Sequence, residues 1–296
     1  MALSRMELEV KGAGSPDGLV KRILELAPDL PLATPIEALC EQLDISDIRE
    51  LTTGGFEGGL ITDTDRSDGV ILVNKKSHYF RQRFTMAHEL AHFLLPTHMS
   101  DEAGRFLCSR EDLNLLTANE SDRRARMEVE ANRFASLILI RPPVLRKAFG
   151  KREPSLAHMI ELSETFEVSK QAMARAYADY HAEAMAIIGV KDGRIISIAT
   201  NRTRFPYIQP RIGAAVPDGS LFHRDDHRMH VASDFTETLP DHWVEVRRGE
   251  AAPVIFEQIY RQRDGYGLIL LHLELPEEDE DEEHNAASEW GPKFWR

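Results

Sequence analysis

Residues 81–92 read RQRFTMAHELAH, the most informative stretch of the first half of the chain. It contains the pattern His-Glu-x-x-His, formed by His88, Glu89 and His92. On a helix of about 3.6 residues per turn, side chains four positions apart project from the same face, so both imidazoles can bind one divalent cation. Glu89 lies beside them, where a general base for hydrolysis must be. The pattern therefore predicts a metal site with a base next to it.

The residues around this pattern predict one helix over residues 77–95. Apolar side chains recur along it at spacings of three and four, which is typical of a helix with one buried face. These side chains are Phe80, Phe84, Ala87, Ala91 and Leu95. The plainer alternative is a buried amphipathic helix that carries two histidines and no metal.

A third metal ligand is expected outside the motif, because a catalytic zinc usually takes three protein ligands and leaves the fourth position to water. The best candidate is Glu128, within a second helix pattern over residues 126–140. Asn132 lies one turn further along the same face, where it can orient a ligating histidine through a hydrogen bond. Glu120 and Glu130 are alternative ligands, although a solvent-facing position suits Glu130 better. An ordinary surface acid is the plainer interpretation of Glu128.

The two helix patterns together resemble the ImmA/IrrE family of bacterial metallopeptidases. The first block is RFTMAHELAH over residues 83–92, and the second is EVEANRFA over residues 128–135. An aliphatic-proline ending follows at residues 140–142. The family more often has Gly or Ser at the position of Ala91 and Leu-Leu-Met-Pro where residues 139–142 read LIRP, while the ligand positions are intact.

The resemblance implies a zinc metalloendopeptidase in which His88, His92 and Glu128 bind the metal and Glu89 is the catalytic acid/base. It also implies a substrate, a helix-turn-helix transcriptional repressor whose cleavage derepresses stress, DNA-damage or mobile-element genes. Zinc (Zn2+) is the default ion, and manganese (Mn2+) and iron remain open from residue types alone. The alternative function is a non-enzymatic, metal-containing transcription regulator that binds a partner or DNA through residues 154–183. The intact Glu89 argues against it, because a structural metal site has no use for a base.

At 296 residues the chain is long enough for two domains of ordinary size, and we expect an α+β fold. The expected parts are a flexible N-terminus, a zincin-like minimal metallopeptidase domain, a helix-turn-helix-like unit, a strand-rich mixed antiparallel C-terminal domain that resembles a GAF-type sensor, and an acidic disordered tail. Their predicted ranges are residues 1–16, 17–150, 151–183, 184–275 and 276–296. The tail contains seven consecutive acids and cannot bury enough apolar surface to fold.

Two segments near the motif are candidates for substrate contact. Residues 58–62 and 69–74 predict a β-hairpin, and we expect 69–74 to be an edge strand that binds an extended peptide by main-chain pairing. A strand that serves only the core is the equal alternative. The polar segment 97–126 predicts a lid or substrate-contact loop. His98 within it is a candidate ligand or proton carrier, but a solvent-facing histidine is the favoured interpretation.

Charge and cysteine content narrow the choice of partners. The net charge of -13 argues against a surface for duplex DNA, and the second helix of the 151–183 unit carries only Lys170 and Arg175 as basic residues, so direct DNA binding is not expected.

Cys40 and Cys108 are too few for a disulfide framework, and buried or idle thiols are the default. Without a signal pattern or an apolar run of membrane length, we expect a cytoplasmic protein with no membrane partner.

Three further histidines lie in the C-terminal part. His223, His227 and His230 are spaced so that they would converge on a metal only in a helix. We interpret them as surface residues among aspartates and arginines, not as a second metal site.

Overall fold

The computed structural model describes residues 14–52, 56–63, 65–99, 105–109, 111–119, 121–201, 203–224, 228–246 and 252–274. The predicted acidic tail, residues 1–13 of the predicted flexible N-terminus, Glu120 and His227 lie outside these residues. The chain divides into two compact units. The first comprises the residues up to 182 together with 197–200, and the second comprises residues 183–196 together with those from 201 onward. Helices and two sheets give the predicted α+β class. Within the described ranges, no helix has the length and apolarity that crossing a membrane requires.

Several helices of the first unit begin directly after a residue whose side chain caps the first turn. They are α1 (Pro16–Leu26), α2 (Ile36–Gln42), α3 (Tyr79–Leu94), α4 (Arg123–Leu139), α5 (Pro142–Phe149), α6 (Leu156–Thr165) and α7 (Lys170–Tyr180). The side chains of Ser15, Asp122, Ser155 and Ser169 each accept a hydrogen bond from the backbone N–H three residues on. Such bonds satisfy amide groups that the first turn of a helix leaves without a partner.

The predicted pair of helices after the metal-site helices is confirmed, including the cap at Ser169. The chain turns between α6 and α7 with Glu167 in the left-handed region at φ 52°. The buried Tyr177 of α7 lies against α6, where its hydroxyl is 3.2 Å from Nδ1 of His158. Its ring also lies edge-on to Phe149 of α5. The two helices are therefore packed on the body of the first unit through an aromatic core.

A four-stranded mixed sheet lies in the first unit. Its strands are β1 (Ile45–Leu51), β2 (Gly58–Thr62), β3 (Gly69–Asn74) and β4 (Arg105–Cys108), in the order β1-β3-β2-β4. The predicted antiparallel pairing of β2 with β3 is confirmed. The prediction that residues 69–74 form an edge strand is wrong, because β1 pairs in parallel with the other side of β3. The sheet ends instead at β1 and at β4, which lies inside the segment predicted as a lid.

Helix α3 packs against β2, β3 and α4, and this packing positions the His-Glu-x-x-His motif. Ala87, Ala91 and Leu95 of the predicted apolar face are fully buried, whereas Phe80 and Phe84 are partly exposed. The buried guanidinium of Arg83 donates hydrogen bonds to the backbone oxygens of Thr34 and Glu167 at 2.7 and 3.2 Å. A buried charge requires such partners, so these bonds tie α3 to two neighbouring segments.

An antiparallel sheet of five strands characterises the C-terminal part. Its strands are β5 (Met185–Lys191), β6 (Arg194–Thr200), β7 (Thr236–Thr238), β8 (Val254–Arg261) and β9 (Tyr266–Glu274), in the order β6-β5-β9-β8-β7. β5, β6 and β9 were expected from their apolar runs, whereas β7 and β8 were not. The buried carboxyl of Glu257 on β8 accepts hydrogen bonds from the side chains of Ser220 and Trp243.

Candidate metal centre

Three elements of the first unit bring four potential metal ligands to one point. Helix α3 supplies His88 and His92, α4 supplies Glu128, and β4 supplies Cys108. All four residues are buried, and one ligand-type atom of each lies within 4.8 Å of the others. The structure thus brings together the three residues predicted as ligands and adds a cysteine that the sequence did not indicate.

The distances within this four-residue cluster are short. The two Nε2 atoms of His88 and His92 are 3.0 Å apart, and they lie 3.1 and 3.5 Å from Oε2 of Glu128. Sγ of Cys108 lies 3.4 Å from Nε2 of His88, 3.9 Å from Nε2 of His92 and 3.7 Å from Oε2 of Glu128. Side chains of different elements therefore converge at the spacing that ligands around a single ion have.

Asn132 determines the orientation and the tautomer of His88. Its Nδ2 group donates to the backbone oxygens of Asp112 and Leu115 at 2.8 and 2.9 Å. Its Oδ1 atom is therefore the acceptor that lies 2.9 Å from Nδ1 of His88. The His88 proton is thus on Nδ1, and the lone pair of Nε2 is directed into the cluster. The predicted role of Asn132, one turn along α4 from Glu128, agrees with this geometry.

A second chain of hydrogen bonds has the same effect on His92. Nε2 of His98 lies 3.2 Å from the carboxylate of Glu130, which can only accept, so this nitrogen carries the proton. Burial lowers the pKa of His98 to about 4, so its ring is neutral and Nδ1 is an acceptor. Nδ1 of His92, at 2.8 Å, must then donate to it. The lone pair of Nε2 of His92 is therefore also directed into the cluster.

These contacts decide two of the sequence-based interpretations. The favoured solvent-facing position of His98 is wrong, because the side chain is completely buried. Its ring contacts His92 and lies outside the four-residue cluster, so it acts as a hydrogen-bond partner of a candidate ligand. Glu130 likewise pairs with His98 and is partly exposed, as its predicted solvent-facing position requires.

The donor set fits a divalent cation. Two imidazole lone pairs and a carboxylate oxygen converge within 3.5 Å of one another, and electron-rich atoms at this spacing repel. The single proton of the Cys108 thiol cannot serve all three acceptors. A cation held among them replaces this repulsion with attraction, and imidazole, carboxylate and sulfur are ligands that zinc accepts. The cluster therefore has the donor set of a metal centre.

The protonation of the cluster agrees with this interpretation. Burial lowers the pKa of His92 to about 3, which leaves a neutral ring that can coordinate a metal. Burial raises the pKa of the Cys108 thiol well above its usual value, and the nearby carboxylates of Glu89 and Glu128 add to the shift. The charge of a bound cation would oppose that shift.

Glu89 lies beside the cluster and is chemically unusual. Its side chain is completely buried, and neither carboxylate oxygen has a hydrogen-bond partner of good geometry among the described residues. Burial raises its pKa well above the usual value, and an interaction with the Cys108 thiol opposes the shift only in part. The charge of a cation bound in the cluster would oppose this shift and favour the carboxylate that a general base must be.

Gly58 of β2 provides the space that Glu89 occupies. A Cβ atom at this position would lie 2.1 Å from Cγ2 of Thr85 and 2.9 Å from Oε1 of Glu89. Gly58 is also the register partner of Cys108 on β4. The close approach of β2 to α3 therefore depends on a residue without a side chain.

The C-terminal histidines do not form a comparable cluster within the described residues. His223 lies in a short 3-10 turn, with Nε2 3.2 Å from the backbone oxygen of Val216. The ring of His230 lies against Tyr260.

An α+β domain with a His-Glu-x-x-His helix and a glutamate on the following helix is the arrangement that zincin-like folds have. Residues 40–177 match the family described as Peptidase_M78, IrrE N-terminal-like domain. This segment is similar to that family, as the two sequence blocks predicted, and it contains the His-Glu-x-x-His helix and the helix of Glu128.

A solved structure described as a Mycobacterium tuberculosis transcriptional regulator is similar in fold. The TM-score is 0.52 at 14% sequence identity, and the match covers 87% of this chain and 76% of that chain. At such low identity the likeness concerns the fold alone. No curated protein matches the sequence.

Sequence reasoning missed Cys108 and the contact of His98 with His92. Cys108 reaches the cluster through the pairing of β4 with β2, which joins segments far apart in the chain. The alternating exposed and buried residues of Arg105–Cys108 are the local signal for that strand. A run of four residues in a polar segment is too short to indicate its pairing partner.

Proposed function

We propose that the chain is a zinc metalloendopeptidase whose site is formed by His88, His92, Glu128 and Glu89. The observation that carries the proposal is the pair of outer hydrogen-bond chains described above. They direct two imidazole lone pairs at one carboxylate, and the buried Glu89 beside them has no hydrogen-bond partner of good geometry among the described residues. A core that needed no metal would have no reason to hold three acceptors at this spacing.

The chemistry then follows from the site. A zinc ion bound here supplies Lewis acidity and lowers the pKa of water. Glu89 takes a proton from the water that attacks the peptide carbonyl, and it passes that proton to the amine as the C–N bond breaks. Asn132 and His98 hold the two imidazoles in the orientation that this requires. The raised pKa of Glu89 makes its carboxylate, once deprotonated, a stronger base than an exposed glutamate.

Strand β4 is the proposed binding strand for an extended substrate. It is the terminal strand of the sheet, and it ends at Cys108 in the cluster. Leu107, between the buried Phe106 and Cys108, is exposed, so the strand has an apolar side chain available to a partner. Main-chain pairing along such an edge holds a peptide in extended form.

The proposed substrate is a helix-turn-helix transcriptional repressor in the cytoplasm, whose cleavage derepresses stress, DNA-damage or mobile-element genes. The family supports this choice, and both cysteines are free thiols, which suits a reducing compartment. The net charge of -13 favours a protein partner over DNA. The helix pair α6 and α7 is therefore assigned to packing or partner binding.

The test is to incubate the purified chain with the helix-turn-helix repressor encoded nearest to it and to follow that repressor by intact mass. The reactions contain zinc or a chelator, and a Glu89→Gln variant is the control. Zinc-dependent fragments that are absent with the variant would establish the peptidase and identify the cleaved bond. Intact repressor with every ion, together with a stable complex of the two proteins, would contradict the proposal.

One observation favours the non-enzymatic alternative. Cys108 gives the centre a fourth protein side chain, and closed four-ligand zinc sites are typically structural. In that case the metal would hold α3, α4 and β4 together in a regulator that acts by binding. Retention of Glu89, which no structural site requires, favours the peptidase.

A further inference from the structure

We propose that Cys108 is the fourth protein ligand of the metal and occupies the coordination position that hydrolysis needs for water, so that the resting centre is closed. The proposal rests on the proposed peptidase function, whose regulation it describes. It assigns a role to a buried thiol that the mechanism above does not use.

The dimensions of the cluster carry the proposal. For zinc–nitrogen, zinc–oxygen and zinc–sulfur bonds of ordinary length, the edges of a tetrahedral site are about 3.3 Å between nitrogen or oxygen atoms and about 3.6 Å to sulfur. The edges among His88, His92 and Glu128 are 3.0, 3.1 and 3.5 Å. The three edges to Sγ of Cys108 are 3.4, 3.9 and 3.7 Å. All six edges thus correspond to one tetrahedron whose fourth corner is the sulfur atom.

The surroundings of Cys108 give it no other role. The thiol is buried at the end of β4, and its polar neighbours are the three candidate ligands and Glu89. Phe106, on the same side of β4, stacks on the ring of His92 with the centroids 4.8 Å apart. Strand β4 is therefore held over the motif helix at two adjacent inward positions. A side chain placed only for packing would not need to direct sulfur at both imidazoles.

The closed centre has a consequence for Glu89. With sulfur in the fourth position, no water lies between the metal and the carboxylate, and Glu89 has no proton to abstract. The peptidase would become active when the bond to sulfur breaks, the released Cys108 thiolate takes up a proton from solvent, and a water molecule takes the position of the sulfur. The same strand is the proposed substrate edge, so a peptide that pairs with β4 acts directly on the residue that closes the site.

The chain offers a matched control. Cys40 is the only other cysteine; it is a free buried thiol on α2 and does not belong to the cluster. The experiment is zinc X-ray absorption on the full-length, zinc-loaded wild type, Cys40→Ala and Cys108→Ala. We expect one sulfur scatterer at about 2.3 Å in the wild type and in Cys40→Ala, and loss of that scatterer in Cys108→Ala. A first shell of nitrogen and oxygen only in the wild type would overturn the proposal, and this result does not depend on any variant folding.

A cleavage assay tests whether Cys108 closes the centre. The same three proteins, at equal zinc occupancy, are incubated with the helix-turn-helix repressor encoded nearest to the chain. We expect Cys108→Ala to cleave faster than the wild type, while Cys40→Ala cleaves at the wild-type rate. An unchanged or lower rate in Cys108→Ala would overturn the closing role even where sulfur ligation is found. A sulfur shell together with no cleavage by any variant, Cys108→Ala included, would overturn both the closing role and the peptidase, and it would leave a closed structural metal site.

Discussion

Replacement of Asn132 by Ala tests whether the outer hydrogen-bond partners position the metal ligands. The side chain is buried and makes three hydrogen bonds, one to Nδ1 of His88 and two to the backbone oxygens of Asp112 and Leu115. Loss of such an outer partner typically lowers metal affinity by about 10–100-fold, which corresponds to about 1.4–2.8 kcal/mol of binding free energy. We expect Asn132→Ala to show a loss in this range.

The same replacement should destabilise the metal-free protein. Three net hydrogen bonds of about 0.5–1.5 kcal/mol each are lost, so the free energy of unfolding should fall by about 2–4 kcal/mol. Zinc affinity is measured by competition with a chromophoric chelator, and stability by urea unfolding in the presence of a chelator. Asn114→Ala is the control, because Asn114 is an exposed asparagine in the segment that Asn132 contacts.

Asn132→Asp separates the two effects. A carboxylate still accepts from Nδ1 of His88 but cannot donate to the two backbone oxygens. We therefore expect it to retain most of the zinc affinity while it loses stability as Ala does. Zinc affinity in Asn132→Ala within twofold of the wild type would refute the positioning argument.

Three further outcomes follow from the structure. Gly58→Ala should lower the unfolding free energy by about 1–3 kcal/mol and reduce repressor cleavage, because its Cβ collides with Thr85 and Glu89 on α3. Urea unfolding and the cleavage assay measure these two effects. Gly14→Ala, with open space around the new Cβ, should change neither stability nor cleavage. Arg83→Met should lower the unfolding free energy by about 2–4 kcal/mol, since the backbone oxygens of Thr34 and Glu167 lose their buried donor. Arg152→Met, which removes an exposed salt bridge, should cost less than about 1 kcal/mol in the same urea titration. Equal costs of the two replacements would count against a stabilising role of the Arg83 hydrogen bonds. Burial raises the pKa of Glu257 above its usual value of 4.5, so the stability that its protonated form contributes is fully present below pH 4.5 and is lost as pH rises through the folded-state pKa. The unfolding free energy of Glu257→Gln relative to that of the wild type should therefore rise from acid to neutral pH. A difference that is constant with pH would exclude burial of this carboxyl as a cause of pH-dependent stability.

The parts of the site that follow from local periodicity could be predicted from the sequence. His88 and His92 share a face because four residues make one helical turn, and Glu128 and Asn132 share a face of α4 for the same reason. The family resemblance placed the two helices in one site. The helices, the caps and the strands with long apolar runs were accessible in the same way.

The parts that depend on long-range pairing could not be predicted in this way. β3 looked like an edge strand because nothing local shows that β1 pairs with its second side. Cys108 looked idle because its place is set by the register of β4 against Gly58. His98 looked exposed because it follows a helix in a polar segment, and only the fold places it against His92. In each case the deciding contact joins residues whose separation in the sequence carries no periodic signal.

The most direct test of the central claim is the stoichiometry of tightly bound metal in the full-length chain. Wild-type protein, Glu89→Gln and His92→Ala are equilibrated with zinc, freed of excess ion and assayed for metal by mass spectrometry. We expect one zinc per chain in the wild type and in Glu89→Gln, and near-complete loss in His92→Ala with the helical circular dichroism retained. One zinc per chain in a folded His92→Ala variant, or no zinc in the wild type, would contradict it.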